Sequence, residues 1–234
     1  MSEQNLPENF LEYLSSLEYQ YLLKSKIPLG VYVLPDLEEP LKWHCVIFLN
    51  EGVYKGGIFK FKILFPQEFP NTCPIVIFQS QIFHPQIDKS GMLNTTPEFE
   101  TWNPYKFHVI DLLKYIKKIF HPIKTKGGIN SSAVQLFENN KREFEQKVRK
   151  NVIDSIKNVY KSTEKGDLQF SKWDSKLEQI GLTILKEKGA EQFLSLQQNE
   201  NHNLVQFSEK DSNQSNVEKI TSFFSSIGNK IVEF

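Results

Sequence analysis

Two cysteines, Cys45 and Cys73, and five histidines carry most of the chemistry this 234-residue sequence could offer near neutral pH. A cysteine attacks only as the thiolate, which needs exposure and a basic neighbour. The sequence supplies neither clearly. Cys45 lies in the run WHCVIFLN, on the side shared by Trp43 and Ile47. His44 points to the other side, because side chains alternate along a strand. Free cysteine is among the most often buried residues, so both read as small core hydrophobes. His44, His108, His121 and His202 are scattered, without carboxylates at ligand spacing. His84 sits in a His-Pro turn, where backbone hydrogen bonding is the expected role. No C-x-x-C pair or His/Cys cluster has zinc spacing, and the phosphate-loop pattern is absent. The expectation is no metal and no cofactor.

The elements that must position these residues follow from periodicity. Residues 8–25 place Phe10, Leu14, Leu17 and Tyr21 at helical spacing, which predicts an amphipathic opening helix with that stripe inward. The runs GVYVLP, LKWHCVIFLN, GGIFKFKILFP and PIVIFQ then read as four strands, separated by turns that include a Gly56-Gly57 hairpin. In the third, Phe59, Phe61, Ile63 and Phe65 share one face and Lys60 and Lys62 the other. That predicts an antiparallel meander with one face packed and one wet. About thirty irregular residues follow Phe78, and loops this long are usually functional or descend from a functional loop.

Helical spacing resumes at Val109, where Val109, Leu112, Leu113, Ile116, Ile119 and Phe120 make an apolar stripe that Pro122 ends. Lys114, Lys117 and Lys118 read as the wet face. A second helical stretch begins after Asn130 and runs through Tyr160, with Phe144, Val148, Val152 and Tyr160 on one face and Ile153 and Ile156 close by. A short helix is expected near Asp174. Within residues 197–216, twelve of twenty are Gln, Asn or Ser, a linker composition. Ile220, Phe223, Phe224 and Ile227 then form an apolar patch, either a docking peptide or a helix folded back. Helix, meander, long loop and helices make an α+β plan.

Composition narrows the function classes. Lys+Arg and Asp+Glu are 28 each, so no global basic field exists to hold nucleic acid. No apolar stretch approaches the ~20 residues of a membrane helix, so direct membrane insertion is not expected. The polar, acidic start MSEQNLPENF is not a secretory signal, and two cysteines make no disulfide framework. The reading is an intracellular, reduced setting that leaves cytosol, nucleus or a cytosol-facing surface open, with a cytoplasmic place expected.

Read in order, several landmarks are specific together. They are Trp43, FPQEFPNTCPIVIF (65–78), His84-Pro85-Gln86, Lys89-Ser90-Gly91, Trp102-Asn103-Pro104, VIDLLKYIKKIF and INSSAVQLFENNKREFEQKVRK. Residues 9–160 resemble the ubiquitin-conjugating enzyme (UBC) family, which carries a corner before its fourth strand, His-Pro-Asn, a Gly-x-Ile-Cys segment and a Trp-x-Pro step. In active members the cysteine follows the Asn of His-Pro-Asn by eight positions. Here the count starts at Gln86 and lands on Asn94. The resemblance implies that the nucleophile position holds an amide, and that the Asn near the oxyanion is replaced by the longer Gln86. Ubiquitin transfer needs a thiolate that forms a thioester, which an Asn side chain cannot do. The expectation is a pseudoenzyme. An active enzyme with a relocated cysteine is the reading left against it.

Across roughly residues 9–188 the chain is similar to the fused-toes, or AKT-interacting protein, family, a non-catalytic branch. That branch has a Phe-Ser-x-Trp element after the core, matched by Phe170-Ser171-Lys172-Trp173. The resemblance implies a scaffold in a complex with a Hook-like coiled coil and an FHIP-like subunit, linking vesicles to dynein on microtubules. The readings beside it are a structural subunit of another large assembly, or a regulatory partner of an active conjugating enzyme, with ubiquitin itself a further candidate partner. Phe170 and Trp173 are the partner-binding candidates, against the plainer reading of a core seam. The expected organisation is a UBC-like core at 9–160, a family extension at 161–190, a polar linker at 191–218 and a terminal apolar segment at 219–234.

Overall fold

Alternating apolar side chains give a strand one oily side, and strands pair until that side is covered. Here β1 (Val31–Pro35), β2 (Lys42–Phe48), β3 (Ile58–Leu64) and β4 (Ile75–Phe78) pair in chain order as an antiparallel meander. The computed structural model describes residues 9–161 and 168–170. The register lays Val33, Cys45, Phe61 and Phe78 in one row across the sheet, and Trp43, Ile63 and Val76 in the next. Trp43, Cys45, Ile47, Phe59, Phe61 and Ile63 are all buried, as the alternation requires.

Helix α1 (Phe10–Lys24) precedes the sheet, and α2 (Val109–Ile119), α3 (Ser131–Asn139) and α4 (Lys141–Lys157) follow it. This is the expected α+β plan. The expected stripe of α2 is buried, together with Phe120 just beyond it. The Phe120 ring stacks on Phe59 and meets Phe78 edge-on, each at 6.0 Å between centroids. Such pairs add ~0.5–1.5 kcal/mol to the area they bury, so one aromatic ring seats the helix end against two strands.

The inward line of α1 differs from the expectation. Leu17 and Tyr21 remain 39% and 46% exposed, while Ser15 and Leu22 are buried. The reason is polar. The Ser15 hydroxyl accepts the indole N–H of Trp43 at 3.0 Å and donates to the Pro40 carbonyl at 2.7 Å. Three residues on, the Glu18 carboxylate accepts the Val109 amide, the first of α2, at 2.9 Å and meets His108 Nδ1 at 2.9 Å. These anchors turn the helix away from its most apolar stripe.

The second face of β3 is not wet. Lys60 and Lys62 are 6% and 8% exposed, and His44, Val46, Phe48 and Ile58 are buried too. Lys60 donates to the Lys161 carbonyl at 3.0 Å, and the Ile58 amide donates to Ser155 of α4 at 3.2 Å. Alternation assigns residues to faces but does not say whether both faces are covered. Lys117 also leaves its expected wet face. It donates to the Leu29 carbonyl at 2.7 Å, and desolvation lowers its pKa.

The helical stretch expected from Asn130 to Tyr160 is two helices. Asn140 ends α3 and caps α4, its side-chain oxygen accepting the Glu143 amide at 3.2 Å. Asparagine at that place competes with helix continuation by offering the backbone a local partner. Phe144, Val148 and Val152 of α4 are buried as expected, whereas Ile153 and Tyr160 are exposed. Trp173, the helix near Asp174 and residues 191–234 lie outside the described residues. Phe170 is partly buried. The chain divides into two units, Met1–Gln169 and Phe170–Phe234, and the fold described is that of the first.

Candidate functional site

The irregular segment after β4 folds locally before it meets the rest of the protein. His84 pairs with Ile87, Ile87 with Leu93, and Met92 with Ile77. The turn between them is built by Asp88. Its Oδ1 accepts the Ser90 hydroxyl at 2.6 Å and the amides of Ser90 and Met92 at 2.8 and 2.9 Å. These donors, the Ser90 hydroxyl foremost, hold the Asp88 carboxyl below its ordinary range. Gly91 has φ +91°, and a Cβ there would overlap the Phe78 carbonyl, so only glycine fits the turn. The Phe78 amide donates to the Gly91 carbonyl at 2.8 Å and that of Leu93 to Val76 at 3.0 Å, which sews the segment to β4.

The result is that Asn94 lies beside Gln86. The Asn94 amide donates to the Gln86 carbonyl at 2.8 Å. Its side-chain Nδ2 donates to Gln86 Oε1 at 3.1 Å and to the Gly127 carbonyl at 2.7 Å. Gln86, 3% exposed, donates from Nε2 to the carbonyls of Lys124 and Lys126 at 3.2 and 3.0 Å. Asn94 and Gln86 are thus bonded to each other, and together they pin the 124–127 loop. The Tyr115 hydroxyl donates to the Asn94 carbonyl at 2.8 Å, and burial pushes its pKa up to about 12, with the Glu98 charge helping.

His84 has the role expected of it. Fully buried, it donates from Nε2 to the Ile119 carbonyl at 2.9 Å and accepts the Gln86 amide at Nδ1 at 3.0 Å. That arrangement belongs to the neutral ring, and burial lowers its pKa to about 4. Burial raises the Cys45 thiol well above its ordinary value. It pushes Cys73 up to about 12, offset in part by a hydrogen bond with Thr95. Neither is a thiolate at neutral pH. Among the described residues, no group of three or more His, Cys, Asp or Glu could hold a metal.

Sequence spacing missed two carboxylate–imidazole pairs. His44 Nε2 lies 2.8 Å from Asp36 Oδ2, and His108 Nδ1 lies 2.9 Å from Glu18 Oε1. The first was within reach of sequence reasoning, since a β1–β2 hairpin returns the chain past Asp36. The second joins residues 90 apart, and no local pattern announces it. A cleft of about 550 Å³ opens beside Asn94, between residues 96–98 and 118–129, with Gln86, Asn94 and Tyr115 in its lining.

Residues 15–152 match a family model described as ubiquitin-conjugating enzyme. A protein described as an AKTIP homolog from Nematostella vectensis is 38% identical over 141 residues, 59% of this chain and 47% of that protein. A crossbronx homolog from Anopheles gambiae is 38% identical over 157 residues, 64% of this chain and 68% of its own length. The AKT-interacting protein of Homo sapiens is 35% identical over 150 residues, 63% of this chain and 50% of its own. The chain thus spans about half of two of these relatives and about two thirds of the third.

Proposed function

Because the chain belongs to the ubiquitin-conjugating enzyme family, with relatives among the AKT-interacting and crossbronx proteins, we propose that it is a silent member that works by binding other proteins. One observation carries this: Asn94, at the position of the family's cysteine, is an amide bonded to Gln86 and Gly127. Transfer through a thioester needs a sulfur that attacks as the anion and leaves as the anion. A carboxamide nitrogen does neither at neutral pH. The amide beside it is engaged as well, since Gln86 gives both described Nε2 bonds to loop carbonyls. It leaves no aimed donor for an oxyanion.

A domain that keeps its fold without its chemistry is best explained as a binding module. The name AKT-interacting protein, carried by relatives, describes a protein partner of those proteins. The finer reading follows the resemblance over residues 9–188. It is an adaptor that joins a Hook-like coiled coil and an FHIP-like subunit, and through them links vesicle cargo to dynein on microtubules. The cytoplasmic face of vesicles is its setting in that reading. No helix among the described residues is long and apolar enough to cross a membrane. Phe170 and Trp173 supply part of the partner surface.

Two measurements test this. Incubated with ubiquitin, activating enzyme and ATP, the chain forms no reductant-sensitive adduct. An adduct lost in Cys73→Ser or Cys45→Ser would overturn the silent reading. Affinity purification at native expression then recovers a coiled-coil partner. Recovery of an active conjugating enzyme instead would overturn the adaptor reading and leave the silent one standing.

A further inference from the structure

Every residue but proline brings the backbone one donor and one acceptor, so a loop whose carbonyls are all engaged presents donors. The 124–127 loop is such a case. The carbonyls of Lys124 and Lys126 accept from Gln86, that of Gly127 accepts from Asn94, and that of Thr125 accepts the Gly128 amide at 2.8 Å. Among the described residues, the amides of Lys124, Thr125, Lys126 and Gly127 donate to no protein acceptor. Lys124 and Lys126 are exposed and add two positive charges. The carboxylate in the same lining, Glu98, is held by Lys118 at 2.9 Å. Pro97, Ile119 and Ile129 supply apolar surface beside them.

We infer that this cleft binds an extended acidic segment of a partner protein, its carboxylates on Lys124 and Lys126 and its apolar side chains against Pro97, Ile119 and Ile129. The chemistry fits a peptide better than an oily ligand. A peptide supplies carbonyl acceptors for open amides, anions for lysines, and apolar side chains for the rest. The volume of about 550 Å³ falls within the ~300–1,000 Å³ of ligand clefts. Gln86 and Asn94 also fill three of the loop's four acceptors. This rests on the silent reading, in that catalysis no longer uses the cleft.

The test is a titration of the ¹⁵N-labelled full chain with a hexapeptide alternating leucine and aspartate, into the millimolar range. The expected result is saturable shifts at Thr96, Ile119, Lys124, Lys126, Gly127 and Ile129 that weaken with added salt. The Lys124→Glu, Lys126→Glu double variant changes exposed side chains and keeps its melting temperature. It binds about tenfold more weakly or worse, a loss of about 1.4 kcal/mol. A peptide with lysine in place of aspartate leaves the spectrum unchanged. Equal binding by the double variant, an equal response to the lysine peptide or to inorganic phosphate, or no response at all overturns the inference. The thioester assay is scored separately. A chain that forms the adduct and binds the peptide loses the silent reading alone, and a silent chain that ignores the peptide loses the cleft alone.

Discussion

The site at Asn94 and the joint between α1 and α2 are both polar and both drawn partly out of water, yet they are built from opposite materials. At the joint a carboxylate does the work. Glu18 accepts the first amide of α2 and meets His108, while Asp111 Oδ2 accepts the His108 amide at 3.1 Å. A negative charge belongs there, since the start of a helix offers unpaired amides and the positive end of its dipole. At Asn94 the bonding groups are neutral amides, a neutral histidine and a phenol. Amides donate and accept at once without the cost of burying a charge. The buried groups around Asn94 titrate at about 4 for His84 and about 12 for Tyr115. Neither changes charge near neutrality, so both keep the neutral form whose bonds hold the loops in place.

The comparison breaks first under acid. The unfolded His84 takes a proton near 6.5 and the folded one only near 4. Between those values the unfolded chain binds more protons, so stability is full above about pH 6.5 and falls as pH drops toward 4. The loss reaches about 3 kcal/mol. Chemical denaturation in steps across that window measures it, and an NMR titration that puts His84 near 6.5 would remove the neutral-site premise. Next in size is Gln86→Ala. It strips the carbonyls of Lys124 and Lys126, and the side-chain Nδ2 of Asn94, of a partner. A loss of about 2 to 3 kcal/mol is expected, with faster hydrogen exchange confined to Gly128, Ile129 and Asn130, whose amides are bonded. A shift below about 0.5 kcal/mol would mean that the loop is held by something else.

Glu18→Ala probes the charged side of the comparison. It removes the acceptor for Val109 and the partner of His108, and about 1 to 2 kcal/mol of stability goes with it. Added salt narrows the gap between the variant and the parent chain, because part of the effect is charge against dipole. Salt leaves the Gln86→Ala deficit unchanged, because that network is neutral. If both variants respond to salt alike, the division into charged joint and neutral site fails.

The sheet was largely legible in the sequence. Period-2 alternation placed Trp43, Cys45, Phe59, Phe61 and Ile63 inward, and their burial follows. The stripe of α2 was legible for the same reason, since one face meets one sheet. The inward line of α1 was not, because Ser15 and Glu18 decide it through bonds to Trp43 and Val109, 28 and 91 residues away. The burial of Lys60 and Lys62 was not legible either, since alternation describes one strand and not what covers it. Counting from His84-Pro85 along the family resemblance singled out Asn94 and Gln86. Their bonds to the loop were out of reach, for they span 33 to 40 residues between segments with no periodicity.

The smallest expected effect sharpens the comparison most. Asn94 is only partly buried, so Asn94→Ala lets water reach the Gly127 carbonyl and costs about 0.5 to 1 kcal/mol. Asn94→Asp keeps the shape and changes one thing, the donor. Both acceptors that Nδ2 meets, Gln86 Oε1 and the Gly127 carbonyl, are oxygens. A carboxylate in its place faces them without a proton, so at neutral pH this variant is less stable than Asn94→Ala. Protonation restores a donor, so the folded state favours the protonated acid and raises its pKa above that of the unfolded chain. As pH falls toward 5 the variant therefore regains stability relative to the parent, opposite in sign to the His84 effect. Denaturation of both variants at neutral pH and at pH 5 decides it. If Asn94→Asp matches the parent at neutral pH, the position tolerates charge, and the site is not the neutral structure that separates it from the joint at α2.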